Sequence, residues 1–389
     1  MKNLTLFFEN LSEEHLGKDP ILVPYYLGKK LGYSVTIIYP RTNENNNLPA
    51  TYKGMSLVPI ELATQPKIFI FDGKYMNFFK YIWKHAKEID VFMRFFHCEL
   101  TEVTSFIYKF RNPKGKIYVK MDKGPINILS VNKEKKSLTK LLMHKLRDYI
   151  DNAYKRKVDL ISCESTNVYN MMQQTDKNWF KWGSNLCIMQ NGFDEELLQS
   201  LQIRENAYSE KDNIMITVAR LGTTQKNTPM ILEALSKVDL RNWKFYFVGP
   251  IELSFNSEID LFFQEHPDKK NKVIFTGPIY NKRELWEYYN KSKVFVLTSR
   301  WESSGLVLYE AKRFRNFILS TSVGAIDDVI ENGKYGKIIE QENSSALAAQ
   351  LQAIIDGYYS ISNIYSNYDS SDLSWDSVLT PVSKRLSER

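Results

Sequence analysis

Two cations in the C-terminal half are spaced so that they could bind a phosphorylated ligand. Arg220 and Lys226 lie between an apolar run that is typical of a buried strand and a segment with helical spacing. Two cations beside the free amide groups of a helix N-terminus can hold a diphosphate. Alone this pattern is weak evidence, because basic residues are also common in solvated loops.

Two carboxylates follow another predicted strand further along the chain. Glu302 comes just after that strand, and Glu310 lies about two turns inside the next predicted helix. The free amides of Ser304–Leu306 would favour an anion at the N-terminus of that helix. Carboxylates repel phosphate, so we expect Glu302 and Glu310 to accept hydrogen bonds from sugar hydroxyls. The helix dipole explains an acidic residue at position 302 but not at position 310.

The elements that position these residues repeat in a regular order. In the C-terminal half, short runs rich in β-branched and aromatic residues alternate with helical segments, which predicts a doubly wound α/β unit with a parallel sheet. The predicted strands are 214–218, 245–248, 273–276, 294–297 and 317–320, and the predicted helices are 229–238, 257–265, 282–290 and 305–313.

The N-terminal half repeats the pattern less regularly. Its predicted strands are 4–8, 34–39, 67–71, 91–96, 117–121, 160–163 and 186–190, and its predicted helices are 25–31 and 138–157. The polar stretch 202–213 is predicted to be a linker. We therefore expect an N-terminal acceptor-binding unit over 1–198 and a C-terminal nucleotide-sugar unit over 199–368, both Rossmann-like and facing across a cleft. The tail 369–389, with Trp375, is predicted to return to the N-terminal unit.

The overall composition excludes several classes of protein. The 389-residue chain is 43% hydrophobic and 25% charged, as is typical of globular proteins. It has no run of about 20 apolar residues, so we predict no membrane-spanning helix. Three cysteines and five scattered histidines lack the spacing of a disulfide framework or a zinc site. These features predict a protein of the reducing cytoplasm.

Positive charge is concentrated in the N-terminal half. Residues 1–200 contain 29 Lys and Arg against 21 Asp and Glu, and the excess peaks between positions 109 and 157. A solvated surface, an anionic membrane surface and nucleic acid are the three interpretations. At a membrane, each nearby Lys or Arg contributes about 1 kcal/mol. The sequence has no recognised nucleic-acid module, so we expect no nucleic-acid partner. The aromatic residues that would suit a membrane are Phe78, Phe79 and Trp83.

Taken together, these motifs resemble the retaining glycosyltransferases of the family 4 type, which have the GT-B fold. The segment Glu302–Glu310 resembles the family's Glu-x7-Glu signature. Ala219–Leu221 with Lys226 resembles its Gly-Arg-Leu…Lys phosphate clamp, with Ala in place of Gly. Further matching stretches are Phe247–Gly249, Phe275–Gly277, Thr321–Gly333 (with Asp where Glu is usual) and Gln190–Asp194. The resemblance is strong over about 186–360 and weak over 1–185.

The resemblance implies roles for particular residues. Arg220 and Lys226 would bind the donor diphosphate and stabilise the leaving nucleotide, Glu302 would hold the donor sugar, and Glu310 would bind the ribose hydroxyls. The remaining predicted donor-binding residues are Gly277, Pro278 and Ile279 beside the nucleobase, and Ser303, Ser304, Gly305 and Leu306 near the sugar or phosphate. No Asp-x-Asp motif is present, so the resemblance implies neither a metal nor a cofactor other than the donor.

The N-terminal half departs from the family pattern. Where the family has a Gly-Gly loop after the first strand, this chain has one glycine, Gly17, which we assign to the diphosphate loop. His97 resembles the family's strand-end histidine and could touch the donor sugar or the acceptor during catalysis; a packed, hydrogen-bonded histidine is the alternative. Asp122 occupies the end of the next strand, where a loop cap is the alternative.

The implied function is transfer of a hexosyl group from a nucleotide diphosphate-sugar to an acceptor hydroxyl, with retention and without a metal. We expect a glycan or lipid-linked glycan acceptor in bacterial cell-surface polysaccharide assembly, and a cytoplasmic protein peripheral to the inner membrane face. Retention would follow from front-face attack, with the leaving phosphate as base. The rival interpretations are a catalytically inactive GT-B scaffold or partner protein, and a nucleotide-sugar epimerase.

Overall fold

The chain folds into two compact α/β units. In the computed structural model, residues 1–64, 72–122, 148–174, 181–359 and 361–388 are described. One unit comprises Met1–Gly192 with Trp375–Arg389, and the other comprises Phe193–Ser374. Among the described residues, no helix combines the length and the apolar character needed to cross a bilayer.

Each unit is built on its own sheet. Within the described residues the strands are β1 (Asn3–Phe7), β2 (Ser34–Pro40), β3 (Thr51–Tyr52), β4 (Met55–Ile60), β5 (Val91–Phe95), β6 (Lys116–Met121), β7 (Leu160–Cys163), β8 (Leu186–Ile188), β9 (Ile214–Val218), β10 (Lys244–Val248), β11 (Val273–Gly277), β12 (Val294–Leu297), β13 (Phe317–Thr321) and β14 (Gly336–Ile339). The orders are β3-β4-β2-β1-β5-β6-β7-β8 and β11-β10-β9-β12-β13-β14. All neighbours are parallel except β3 and β4.

The described α-helices cover these sheets. They are α1 (Asp19–Leu31), α2 (Met76–His85), α3 (Glu99–Arg111), α4 (Thr166–Gln174), α5 (Glu195–Ser200), α6 (Pro229–Ser236), α7 (Asn256–Glu265), α8 (Lys282–Lys291), α9 (Leu306–Arg313), α10 (Ile326–Val329), α11 (Ser344–Ile355), α12 (Trp375–Val378) and α13 (Thr380–Ser387). Residues 148–155 are also helical. The central strands are buried along their length, as continuous apolar runs predict.

Several elements differ from the sequence predictions. α1 begins at Asp19 rather than at position 25, because Pro20 is tolerated in a first helical turn and Pro24 is accommodated inside the helix. The elements that were not predicted are β3, β4, β14, α2, α3, α4, α5, α10 and α11. The predicted strand 67–71 lies outside the described residues, as do positions 138–147 of the predicted helix 138–157.

The stretch 202–213 is not a linker between units. Its Glu205 carboxylate accepts hydrogen bonds from Arg313 at 2.8 Å and from Arg315 at 2.9 Å. Lys211 is buried, and its ammonium donates to the backbone carbonyls of Asn290 at 2.7 Å and Ser292 at 2.9 Å. This bonding fixes the stretch to the second unit. The first break therefore falls between 192 and 193, earlier than the predicted 198/199.

The segment Trp375–Arg389 belongs to the first unit, whereas the predicted tail began at position 369. The Trp375 side chain is buried and lies against Gly192, where an added Cβ would approach the indole ring to 2.6 Å. Lys30 pairs with Asp376 at 2.9 Å, and Arg385 donates to the carbonyl of Ser184 at 2.9 Å. These contacts make α12 and α13 part of the N-terminal unit's core and surface.

Candidate functional site

An ion pair joins two loops at the carboxyl edge of the second sheet. Lys226 lies after β9 and Glu302 lies after β12, and these strands are neighbours in the sheet. The Lys226 ammonium contacts the Glu302 carboxylate, and the two side chains are only 14% and 9% exposed. The structure therefore brings together two predicted site residues at the edge where ligands of parallel sheets bind.

The Glu302 carboxylate has further hydrogen-bond donors. Ser299 Oγ donates to Glu302 Oε1 at 2.6 Å, and the Gln225 amide lies 3.5 Å from Glu302 Oε2. The same amide donates to the carbonyl of Trp301 at 3.0 Å. Several donors thus hold the carboxylate in one orientation.

The second predicted cation is more open. Arg220 is exposed, and its guanidinium donates to Gln225 Oε1 at 2.9 Å. Because Gln225 also contacts Glu302, one glutamine connects Arg220 to the ion pair. Thr298 strengthens the link between the two loops, since its hydroxyl donates at 3.0 Å to the carbonyl of Lys226. Arg220 remains accessible to an anionic ligand.

Glu310 has a separate set of partners on α8. Its Oε1 accepts hydrogen bonds from Trp286 Nε1 at 3.0 Å and from Lys282 Nζ at 2.5 Å. The Lys282 ammonium also lies 5.2 Å from the centre of the Trp286 ring. The sequence analysis did not identify Lys282 or Trp286, because both lie on a different helix from Glu310.

Two loops of the predicted donor site depend on left-handed glycines. Gly277 ends β11 with φ +73°, and Gly305 precedes α9 with φ +83°. In the loop after Gly277, Pro278 is exposed and Ile279 is half-buried. Tyr280, which follows, is 90% exposed. The aromatic ring at this position is therefore available to a ligand.

The segment that begins α9 turns one serine inward. Ser304 is fully buried, with its Oγ 3.1 Å from the Tyr309 hydroxyl, whereas Ser303 is half-buried. The helix begins at Leu306. The Ser304 side chain therefore packs beneath the segment and is not available to a ligand.

A buried arginine anchors the helix that carries Glu310. Arg313 donates to both carboxylate oxygens of Glu195, at 2.5 and 2.9 Å, and to Glu205 at 2.8 Å. Burial of Glu205 opposes ionisation, but the hydrogen bonds and charges of Arg313 and Arg315 outweigh burial and lower its pKa below the ordinary value. The network fastens α9 to the segment at the start of the second unit.

In the N-terminal unit, the two predicted site residues lie in very different surroundings. Gly17 is exposed, and an added Cβ would meet nothing within 4 Å. His97 is 1% exposed and stacks on Tyr154, with ring centres 5.2 Å apart. Its Nε2 lies 3.3 Å from Glu102 Oε1. These surroundings are those of the alternative, a packed and hydrogen-bonded histidine.

His97 also belongs to a group that could hold a metal ion. The nearest ligand atoms of His97, Glu102 and Asp151 lie within 4.8 Å of one another, and all three residues are buried. However, Lys155 Nζ lies 3.1 Å from Asp151 Oδ2. This ammonium already supplies a positive charge to the group, so its carboxylates have a counter-ion without a metal.

Buried charges lie at the carboxyl edge of the first sheet, where the sequence singled out Asp122 but not Lys120 or Glu164. Lys120 on β6 is fully buried and pairs with Asp19 at 2.8 Å and with Glu164. Glu164 Oε2 and Asp122 Oδ1 are buried without a hydrogen-bond partner among the described residues. Burial raises the pKa of Glu164 well above its ordinary value, although Lys120 opposes the shift. The sequence feature that could have revealed this buried group is Lys120, a lysine inside an otherwise apolar run of β6.

Arg94 is a second charged residue inside a buried strand, β5. It is fully buried and donates to the Phe7 carbonyl at 2.8 Å and to Glu9 at 2.6 Å. Glu9 follows β1, so this pair also lies at the carboxyl edge of the sheet. The N-terminal unit thus concentrates polar groups where its ligands are expected.

Comparison with known proteins finds a family model that matches most of the second unit. Residues 199–368 match the family described as Glycosyl transferases group 1. An uncharacterized 41.2 kDa protein in the cps region of Klebsiella pneumoniae is 27% identical over 53% of this chain and 55% of its own length. The amylovoran biosynthesis glycosyltransferase AmsD of Erwinia amylovora is 24% identical over 48% of this chain and 51% of its own. The chain spans about half the length of these curated relatives.

Solved structures resemble the whole chain. A glycosyltransferase from Rickettsia africae ESF-5 has a TM-score of 0.71 and 15% identity, covering 100% of this chain and 99% of its own. HepE from Anabaena, in complex with UDP-glucose, has a TM-score of 0.63 and 16% identity, covering 100% of both chains. At these identities the likeness shows the fold alone. It confirms the predicted GT-B fold class, with two Rossmann-like units.

We expect Gly324→Ala to disturb the Glu302 loop more than Gly277→Ala does. Both glycines have positive φ, at +57° and +73°, so both alanines carry a backbone cost of about 1–2 kcal/mol. Only at Gly324 would the new Cβ also meet backbone, 2.8 Å from the Ser304 carbonyl oxygen. Urea denaturation should show a larger loss of stability for Gly324→Ala. Equal losses would contradict this packing argument.

We expect Glu205→Gln to reduce the acid sensitivity of folding. Because the pKa of Glu205 is lower in the folded state than its ordinary value of 4.5, its ion pairs stabilise the fold fully above that pH. This contribution is lost as the pH falls through the folded-state pKa. Urea denaturation across a pH series should show a smaller acid-induced loss for Glu205→Gln than for the exposed control Glu258→Gln. Parallel profiles for the two variants would contradict the assignment.

Proposed function

Because residues 199–368 match the family described as Glycosyl transferases group 1, we propose that this protein transfers a hexosyl group from a nucleotide diphosphate-sugar to an acceptor hydroxyl. The observation that carries the proposal is the contact between Lys226 and Glu302 at the carboxyl edge of the second sheet. A cation and a carboxylate held together here match the two needs of the donor, which has an anionic diphosphate and a hydroxylated sugar.

Lys226 and Arg220 would neutralise the diphosphate. Lys226 is held in place by Glu302, whereas Arg220 is exposed and bonded to Gln225. When the bond from sugar to phosphate breaks, negative charge grows on the leaving nucleotide. Cations that are already oriented stabilise this charge without reorganising. Glu302 would accept from the sugar hydroxyls through lone pairs that its present donors leave available.

Glu310 would hold the ribose of the donor. Its carboxylate is oriented by Trp286 and Lys282, and its side chain is 13% exposed. Partial neutralisation by Lys282 would also reduce repulsion between this carboxylate and a nearby diphosphate. The exposed Tyr280, in the loop after Gly277, would lie beside the nucleobase. The UDP-glucose bound to HepE makes uracil the first nucleobase to test.

We further propose retention of the anomeric configuration without a metal. Arg220 and Lys226 supply two positive charges, so the diphosphate does not require a divalent ion. In front-face attack, the leaving phosphate takes the proton of the acceptor hydroxyl, and the protein contributes orientation and charge stabilisation. Proton NMR of the product would test retention, because the anomeric coupling constant reports the configuration of the new bond.

The proposed acceptor is a glycan or lipid-linked glycan of a bacterial surface polysaccharide, handled at the cytoplasmic face of the membrane. The cps-region protein and the amylovoran glycosyltransferase AmsD support this context. The N-terminal unit would bind the acceptor, since buried polar groups around Lys120 and Arg94 lie at the carboxyl edge of its sheet. We propose no binding partner beyond the donor, the acceptor and the membrane.

The first test is a thermal-shift experiment on the purified protein without added metal, using uridine, guanosine and thymidine diphosphates and their sugars. A ligand at about 100 times its dissociation constant adds about 2.7 kcal/mol, which raises the melting temperature by several degrees. We expect a shift with one nucleotide, and its loss in Lys226→Met and Arg220→Ala.

The matched control is Lys237→Met, which removes a lysine that pairs with Glu233 at 3.0 Å on the surface of α6. This variant should keep the full nucleotide shift. If no nucleotide stabilises the wild-type protein, the proposed function is wrong. An inactive scaffold would then be the better account. The single glycine, Gly17, in place of the family's Gly-Gly loop would agree with it.

A further inference from the structure

Two large apolar side chains stack on the surface of the N-terminal unit. Trp83 on α2 is 47% exposed and Phe110 on α3 is 75% exposed. Their ring centres are 5.6 Å apart and their planes differ by 19°. Phe78 and Phe79, which the sequence analysis grouped with Trp83 as membrane-facing, are instead buried. Trp83 therefore stacks on Phe110, a contact that the sequence alone did not reveal.

One cation contacts this aromatic pair, and exposed lysines lie on the same segments of the chain. The Arg111 guanidinium lies 4.7 Å from the centre of the Trp83 ring and donates to the Trp83 carbonyl at 3.3 Å. Lys80 and Lys84 on α2 are exposed, and so is Lys114 just after α3. No acidic residue occurs within α2. The nearby Glu88 carboxylate lies 2.8 Å from His85 Nδ1. Lys80, Lys84, Arg111 and Lys114 outnumber this carboxylate, so the surface has an excess of positive charge.

This surface lies away from the edge where ligands bind. Trp83 and Phe110 are near the C-terminal ends of α2 and α3, which lead into β5 and β6. They are therefore close to the amino ends of these strands, whereas ligands bind at the carboxyl ends. A strand of this length spans about 17–20 Å. The aromatic pair is thus separate from the buried charges around Lys120 and Arg94.

We propose that the surface formed by Lys80, Trp83, Lys84, Phe110, Arg111 and Lys114, the α2–α3 surface, docks on an anionic lipid bilayer. Tryptophan favours the boundary between headgroups and acyl chains, and exposed lysines are attracted to anionic lipid. Combining apolar insertion with charge attraction gives the two signals that stable peripheral binding requires. Single-stranded nucleic acid is disfavoured, because Phe110 and Arg111 already contact the Trp83 ring on which a base would stack.

The position of the α2–α3 surface also indicates what kind of acceptor could be used, and this step rests on the proposed function. If the bilayer contacts the amino edge of the first sheet, the carboxyl edge stands about one strand length from the lipid. An acceptor hydroxyl on a lipid headgroup would not reach that edge. The acceptor would therefore be the outer end of a glycan that extends from its lipid.

The test is co-sedimentation of the full-length protein with sucrose-loaded vesicles, comparing pure phosphatidylcholine with phosphatidylcholine containing phosphatidylglycerol. We expect preferential partitioning to the anionic vesicles. The double variant Trp83→Ala/Phe110→Ala should lower the partition coefficient about tenfold or more, because it removes the apolar insertion. Lys80→Gln and Lys84→Gln should each lower it about fivefold, and added salt should weaken their effect.

The matched control is Leu253→Ala/Tyr358→Ala, which removes two exposed apolar side chains from the other unit. This control should partition like wild type. Lys226→Met should also bind vesicles normally, which separates failure of the nucleotide site from failure of the α2–α3 surface. Equal partitioning to neutral and anionic vesicles, unchanged partitioning of the aromatic double variant, or binding to single-stranded DNA in place of vesicles would overturn the proposal.

Discussion

The contact between Lys226 and Glu302 is the interaction on which the second unit's site depends. It joins the loops that follow β9 and β12, and Gln225 and Thr298 reinforce the same junction. A mostly buried ion pair contributes little net stability unless its geometry is good and its remaining groups are hydrogen-bonded. Here Ser299 and Gln225 provide that bonding. These bonds also fix the direction of the carboxylate, and we infer that the pair orients a ligand.

The second unit was largely predictable because its strands are short, continuous and buried on both faces. β9 and β12 have the predicted bounds, and their site residues could be found by looking just after each strand. Contacts between distant elements could not be found in this way. The Lys282–Glu310 pair joins two helices, and nothing in either helix alone indicates the other.

The first unit was less predictable for identifiable physical reasons. β4 contains Pro59, and proline argues against a strand because it cannot donate a hydrogen bond to a neighbouring strand. The neighbouring strand β3 pairs only with Met55 and Ser56 of β4, so Pro59 interrupts no hydrogen bond to β3. Pro24 lies inside α1, and because proline usually ends a helix, the first half of α1 was not predicted. The strands that carry Arg94 and Lys120 were predicted to within one residue, but the burial of these two charges was not, and they mark the edge where an acceptor is expected.

The most direct test of the account is a double-mutant cycle between Lys226 and Glu302, measured as nucleotide-sugar affinity by calorimetry. If the two residues act as one oriented unit, Lys226→Met combined with Glu302→Gln should weaken binding by less than the sum of the single effects, with a coupling energy of about 0.5–3 kcal/mol. The matched cycle between Lys237 and Glu233, which pair on the surface of α6, should show no coupling in nucleotide-sugar affinity. Strictly additive losses from Lys226 and Glu302 would contradict the central claim.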